Sequence, residues 1–98
     1  MAAFMFIYRA GPDPVPSERV AENREAWLVW NIALHEEYGI RTASGKVVSS
    51  STVSDSDGVV RGASMVEFES MDAAFEVAKG APNIAFGGSV EVLEEFAR

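Results

Sequence analysis

The chain has 98 residues, 48% of them apolar, which suits one domain of ordinary size and excludes a disordered segment. Fifteen acidic residues against 8 basic ones give a formal charge of −7, which repels phosphate backbones and argues against nucleic-acid binding. With no cysteine, disulfides, thiol nucleophiles and thiolate metal sites are excluded.

The chain opens on "MAAFMFIYRAGPDP". This start has no basic leading region, and its apolar run is too short for a signal peptide. No later stretch approaches the roughly 20 apolar residues that span a bilayer. The expectation is a soluble, cytoplasmic protein, with residues 1–98 forming one domain.

Residues 3–10 predict a strand, but one that does not alternate. Phe4, Phe6 and Tyr8 share one face, and Met5 and Ile7 make the other face apolar too. A domain of this size has little spare core with which to bury a strand twice. A partner chain is therefore expected. "GPDPVP", residues 11–16, is a loop, because its prolines remove backbone donors and disfavour helix. Ser17 then predicts an N-cap.

The spacing of Val20, Trp27, Trp30, Leu34 and Tyr38 predicts a helix over residues 18–38, ended by Gly39. Residues 40–53 read as a loop and then an edge strand starting near Lys46. The "SDSDG" turn, 54–58, leads to a strand "VVRGASMVEFES", and the two strands are expected to form a hairpin. Ser70 predicts the cap of a second helix, "MDAAFEVAK", buried through Ala78 with either Phe75 or Ala74. After "GAPNIAFGG", the alternation in "SVEVLEEF" predicts a last strand. The order β-α-β-β-α-β is the α+β, ferredoxin-like arrangement: a four-stranded antiparallel sheet with two helices on one face. The other face stays open in a monomer, and a homodimer through that face is the expected assembly.

The same pieces, in the same order, resemble the YCII-related (DGPF-type) domain family. They are "FMFIYRA", "WLVWNIALHEEYGIRTASGKV", "SDSDGVV", "MVEFESMDAAFEVAKGAP" and "GGSVEVLEEF", covering nearly the whole chain. The resemblance implies a dimeric α+β barrel with two sheets packed face to face. It also implies chemistry on small aromatic or lactone-like compounds, isomerisation or elimination, without a cofactor. The chain departs from the family pattern in two places. The DGPF signature is kept only as Asp57-Gly58, followed by Val59 and Val60. Where related enzymes carry a first-helix histidine, "EAWLVW" places Trp27.

The residues offer several candidates for chemistry. His35, Tyr8 and Glu67 are the candidate proton carriers. His35 is the only histidine, and it extends a helix stripe with Arg24, Leu28 and Asn31; equally, it can complement the helix dipole from an exposed last turn. Tyr8 ends the first strand, either as an acid or as a core residue with a polar tip. Glu67, like Glu91, alternates onto the open face, where desolvation would raise a carboxyl pKa and a solvated rim would not. Arg9 and Arg61 are candidates for holding a carboxylate. Asn31 falls inside the apolar arc of the helix and needs a hydrogen-bond partner, from backbone or ligand. Trp27 either packs in the core or lines a ligand. No His, Asp and Glu spacing suggests a metal, and no phosphate-binding glycine pattern is present. The expectation is a small, cofactor-free, enzyme-like protein that binds an aromatic or carboxylate-bearing molecule in a sheet or dimer cavity. The alternative is a non-catalytic ligand-binding or dimerisation module. An RNA-recognition domain on the same frame is disfavoured by charge and by the lack of a basic-aromatic strand.

Overall fold

The computed structural model describes residues 2–43, 46–51, 53–55 and 60–95. The first strand, β1 (Ala2–Arg9), is central in a four-stranded antiparallel sheet. It pairs on one side with β5 (Val60–Phe68) and on the other with β6 (Ser89–Glu94). A two-residue edge strand, β2 (Thr42–Ala43), extends the sheet beyond β5. Helices α1 (Val20–Tyr38) and α2 (Met71–Ala78) complete the ferredoxin-like α+β fold.

The core lies between the sheet and the helices. Phe4, Phe6 and Tyr8 from β1, Ser64, Val66 and Phe68 from β5, and Leu34 from α1 are all buried there. α2 contributes Ala74 and Ala78, while Phe75 is exposed, so the alanine pair forms its buried side. Small side chains let this helix lie close to the sheet. Ser70 caps α2 as expected, its hydroxyl accepting from the Ala73 N–H at 3.1 Å. Gly39 ends α1 in the left-handed region, φ +67°, with its N–H on the His35 carbonyl. Of the predicted helix stripe, Leu34 is buried and Trp27 and Trp30 are half-buried, whereas Val20 and Tyr38 are exposed. Tyr38 still meets the Phe68 ring edge-on at 5.1 Å.

Two local expectations are corrected. Ser17 does not cap α1. Pro16 is extended, and a 3₁₀ turn, Ser17–Arg19, precedes the helix, with the Arg19 N–H on the Pro16 carbonyl at 2.8 Å. Arg19 takes the cap position with no side-chain cap bond. The strand near Lys46 is not the partner of β5 either. Lys46–Val48 (β3) pairs with Val53–Asp55 (β4) as a separate two-stranded sheet. The main sheet takes Thr42 and Ala43 instead, opposite Ser64 and Ala63. The physical reason is local: the Thr42 hydroxyl meets that of Ser64 at 2.6 Å, and Gly62 leaves room for the Ala43 carbonyl. The serines that follow offer the core nothing large to bury. The Asp57-Gly58 pair and Phe96 lie outside the described residues.

Candidate functional site

The register of β1 and β5 breaks at their ends. Tyr8 faces Gly62 but Arg9 faces Val60, so Arg61 is an extra residue, a β-bulge. A bulge turns a side chain away from the alternation of its strand. Arg61 accordingly lines a cleft on the helix side of the sheet. Gly62 is required there by close approach: a Cβ would stand 2.7 Å from the Ala43 carbonyl oxygen.

The cleft has a volume of about 930 Å³, at the upper end for small-molecule sites. Tyr8 and Gly62 form its floor, with Thr42 and Ala43 to one side. Asn23, Trp27 and Asn31 of α1 form one wall. The loop Gly11–Val15, which carries Asp13, and the 3₁₀ turn Pro82–Phe86, through Asn83 and Phe86, form the rest. Trp27 meets the Tyr8 ring edge-on, with centroids 5.0 Å apart.

Beneath the floor the polar groups are joined. Trp30 Nε1 donates to the Tyr8 hydroxyl at 3.1 Å, Tyr8 Oη and Ser64 Oγ are 2.7 Å apart, and Ser64 Oγ and Thr42 Oγ1 are 2.6 Å apart. Two amides are less well supplied. Asn83 Nδ2 donates to the carbonyls of Arg9 and Ser89, at 2.9 and 2.7 Å, which pins the end of β1 to the start of β6. Those two acceptors fix the orientation of the amide. Its Oδ1 is buried without a hydrogen-bond partner, and so is Oδ1 of Asn31. Buried amide oxygens are nearly always paired, so both amides of this cleft lack a donor that folding normally supplies.

Arg19 braces the outside of the Phe86 wall, its guanidinium 4.6 Å from the ring centroid. It also grips Glu22 with two bonds of 2.9 Å. Those side-chain bonds, reinforced by the opposite charges, hold the Glu22 carboxyl below its ordinary pKa and the Arg19 guanidinium above its own.

The site residues expected from sequence are thus divided. Tyr8, Arg61, Asn31 and Trp27 share the cleft. His35 is exposed in the last turn of α1 and does not line it. Arg9 and Glu67 lie on the opposite sheet face from Tyr8, where Arg9 pairs with Glu91 at 3.4 Å. The cleft also holds Asp13, Asn23, Thr42, Asn83 and Phe86, which sequence reasoning passed over. Asp13 had a signal, because a proline-locked loop directly follows the strand that carries Tyr8. Asn83 had little, because only tertiary packing sets its two carbonyls beside it. Among the described residues no three His, Asp or Glu side chains converge as a metal site. No described helix is long and apolar enough to cross a membrane.

The family model of the YCII-related domain matches residues 2–96. The chain belongs to the YCII-related family. A solved structure of similar fold is the 5-chloro-2-hydroxyhydroquinone dehydrochlorinase of Burkholderia phenoliruptrix, in complex with 2,5-dihydroxybenzoquinone. The two chains are 18% identical, with a TM-score of 0.56 over 97% of this chain and 93% of that one. At that identity the likeness establishes the fold. No curated protein matches the chain significantly. In this YCII-related chain, then, the cleft combines aromatic walls, a tyrosine floor, one bulged arginine and two asparagines whose amide oxygens lack a partner.

Proposed function

We propose that this YCII-related protein binds a small, planar, hydroxylated or carboxylate-bearing aromatic molecule in the cleft over Tyr8, as a cofactor-free enzyme. The observation that carries this reading is a cleft walled by Trp27 and Phe86 and lined by Asn31 and Asn83, whose amide oxygens are buried without a partner. A ligand hydroxyl would supply a donor to either amide oxygen once that side chain turns toward the cleft, and the aromatic walls would pack against a ring. Arg61 suits a carboxylate or an enolate oxygen. Tyr8 would be the group that exchanges a proton with the ligand. The related dehydrochlorinase, which holds a hydroxylated quinone, supports the same substrate class. His35 and Glu67 have no part in this site as one chain builds it.

The proposed working form is a homodimer through the open sheet face, where Met65 and Leu93 are 59% and 43% exposed. A non-catalytic binding module would use the same cleft, and turnover separates the two readings.

The test is titration calorimetry with 2,5-dihydroxybenzoquinone and with phenylpyruvate. The expected result is binding of at least one probe, weakened about tenfold or more in Asn31→Leu and in Arg61→Ala and unchanged in His35→Ala. If neither probe bound, or if His35→Ala weakened binding while Asn31→Leu did not, the cleft would lose its role.

A further inference from the structure

Three hydroxyls run beneath the cleft in an unbroken row. Tyr8 Oη lies 2.7 Å from Ser64 Oγ, which lies 2.6 Å from Thr42 Oγ1. In each bond either oxygen can be the donor. Tyr8 and Thr42 line the cleft and Ser64 does not, although Tyr8 and Ser64 are each only 1% exposed. The row therefore starts and ends at the same cavity and passes through a buried middle member.

Its direction is reversible, but one partner is fixed. The Trp30 N–H can only donate, so it always occupies one lone pair of the Tyr8 oxygen. Tyr8 keeps its own proton to give to Ser64 or to a ligand. When that proton leaves, the Trp30 N–H and a donating Ser64 hydroxyl both point at the oxygen that becomes charged. Preorganised donors of this kind stabilise a developing oxyanion without reorganisation.

From this geometry we infer that Tyr8, Ser64 and Thr42 form a proton relay that tautomerises an enolisable aromatic compound held in the cleft. The inference rests on the binding site proposed above and adds the reaction. For an arylpyruvate enol the step balances internally. Tyr8 gives its proton to the enol carbon, and a C–H bond forms as the C=C bond becomes C=O. Ser64 passes its proton to Tyr8, and Thr42 passes its proton to Ser64. The Thr42 oxygen receives the proton released by the enol hydroxyl. The ketone leaves, each hydroxyl again holds one proton, and nothing is oxidised or reduced. The reverse direction converts ketone to enol by the same transfers. Tyr8 and Thr42 are the catalytic residues, and Ser64 is a positioning residue that carries the proton between them.

The test is the ketonisation of phenylpyruvate enol, followed by loss of enol absorbance, with deuterium uptake at the side-chain carbon measured by NMR. Wild-type protein should accelerate both. Ser64→Ala should lower kcat by about a hundredfold with KM unchanged, because general acid–base transfer contributes on that order. Thr42→Val should behave likewise, and Thr42→Ser, which keeps the hydroxyl, should restore most of the rate. Thermal melts confirm that each variant is folded; should Ser64→Ala not fold, the Thr42→Val and Thr42→Ser pair decides alone. Binding without acceleration by wild-type protein would overturn the relay and leave the binding site standing. Wild-type kcat in Ser64→Ala, or in Thr42→Val, would overturn it as well. Failure of phenylpyruvate to bind would remove the relay for this substrate class, and failure of both probes would remove the site with it.

Discussion

The indole N–H of Trp30 stands 3.1 Å from the hydroxyl of Tyr8 and ties α1 to the central strand directly beneath the cleft. Both groups sit where the core turns polar: Tyr8 is 1% exposed, and its neighbours Ser64 and Thr42 continue the hydrogen bonds toward the sheet edge. The Trp30 ring also covers Gly80, where a Cβ would lie 3.1 Å from the ring. One side chain thus joins the first helix, the first strand and the exit of the second helix.

Trp30→Phe keeps most of that packing and removes the donor. The expected loss is about 1–2 kcal/mol, from the lost hydrogen bond and the smaller ring. Urea denaturation should show it as a lower midpoint at unchanged slope. Stability equal to wild type would mean that the bond contributes nothing to joining helix and strand.

Gly62→Ala tests the close approach of β2. The added Cβ would fall 2.7 Å from the Ala43 carbonyl oxygen, a backbone atom that cannot turn aside. We expect a loss of roughly 1–3 kcal/mol, in the range of an overpacked site. Amide exchange should accelerate at Thr42 and Ala43 before the rest of the sheet. Unchanged protection there would show that β2 has room to spare.

Most of the fold was legible in the residues. The period of Trp27, Trp30 and Leu34 located α1, Ser70 located the start of α2, and the alternation after Ser89 located β6. The fourth strand differs from the expected one because propensity reports local preference. The valines and serines from Lys46 suit a strand, but the sheet selected Thr42 and Ala43 through contacts with Ser64 and Gly62, 20 or so residues away. The site was only partly legible for a similar reason. Tyr8 and Arg9 are neighbours in sequence, and strand alternation sends them to opposite faces. Arg61 reaches the Tyr8 side through a bulge that no sequence pattern announces. Asn83 meets Arg9 across 74 positions of chain.

The Arg19–Glu22 pair gives a pH dependence with a defined sign. The Glu22 carboxyl titrates below its ordinary value because Arg19 donates to it. Its stabilising contribution is therefore present above the unfolded pKa and is lost as pH falls through the lower folded one. Both side chains are exposed, so the effect is small and salt-sensitive. The melting temperature of wild type should exceed that of Glu22→Gln slightly at neutral pH and low salt. The difference should vanish on acidification and in concentrated salt. A difference that grew in acid would reverse the assignment.

The last prediction concerns the apolar underside of the sheet. Met65, Met5 and Leu93 lie side by side across β5, β1 and β6, and Ala63 and Ile7 continue the patch. One end of that patch is rimmed by Glu67, opposite Ala3, and the other by the Arg9–Glu91 pair. An apolar centre within a charged rim is the pattern of a protein interface. A second copy related by two-fold symmetry would bring the same patch onto itself and cover the face of β1 that its own helices leave open. Wild-type protein is accordingly expected to run as a dimer in light scattering at micromolar concentration. Met65→Asp would place a carboxylate at the centre of that contact, where burying an unpaired charge costs several kcal/mol. In the monomer Met65 is largely exposed, so the same substitution should leave the fold of one chain intact. The expected outcome is a folded monomer by scattering and circular dichroism together. A wild-type monomer, or a Met65→Asp dimer, would show that this face does not hold the chains together.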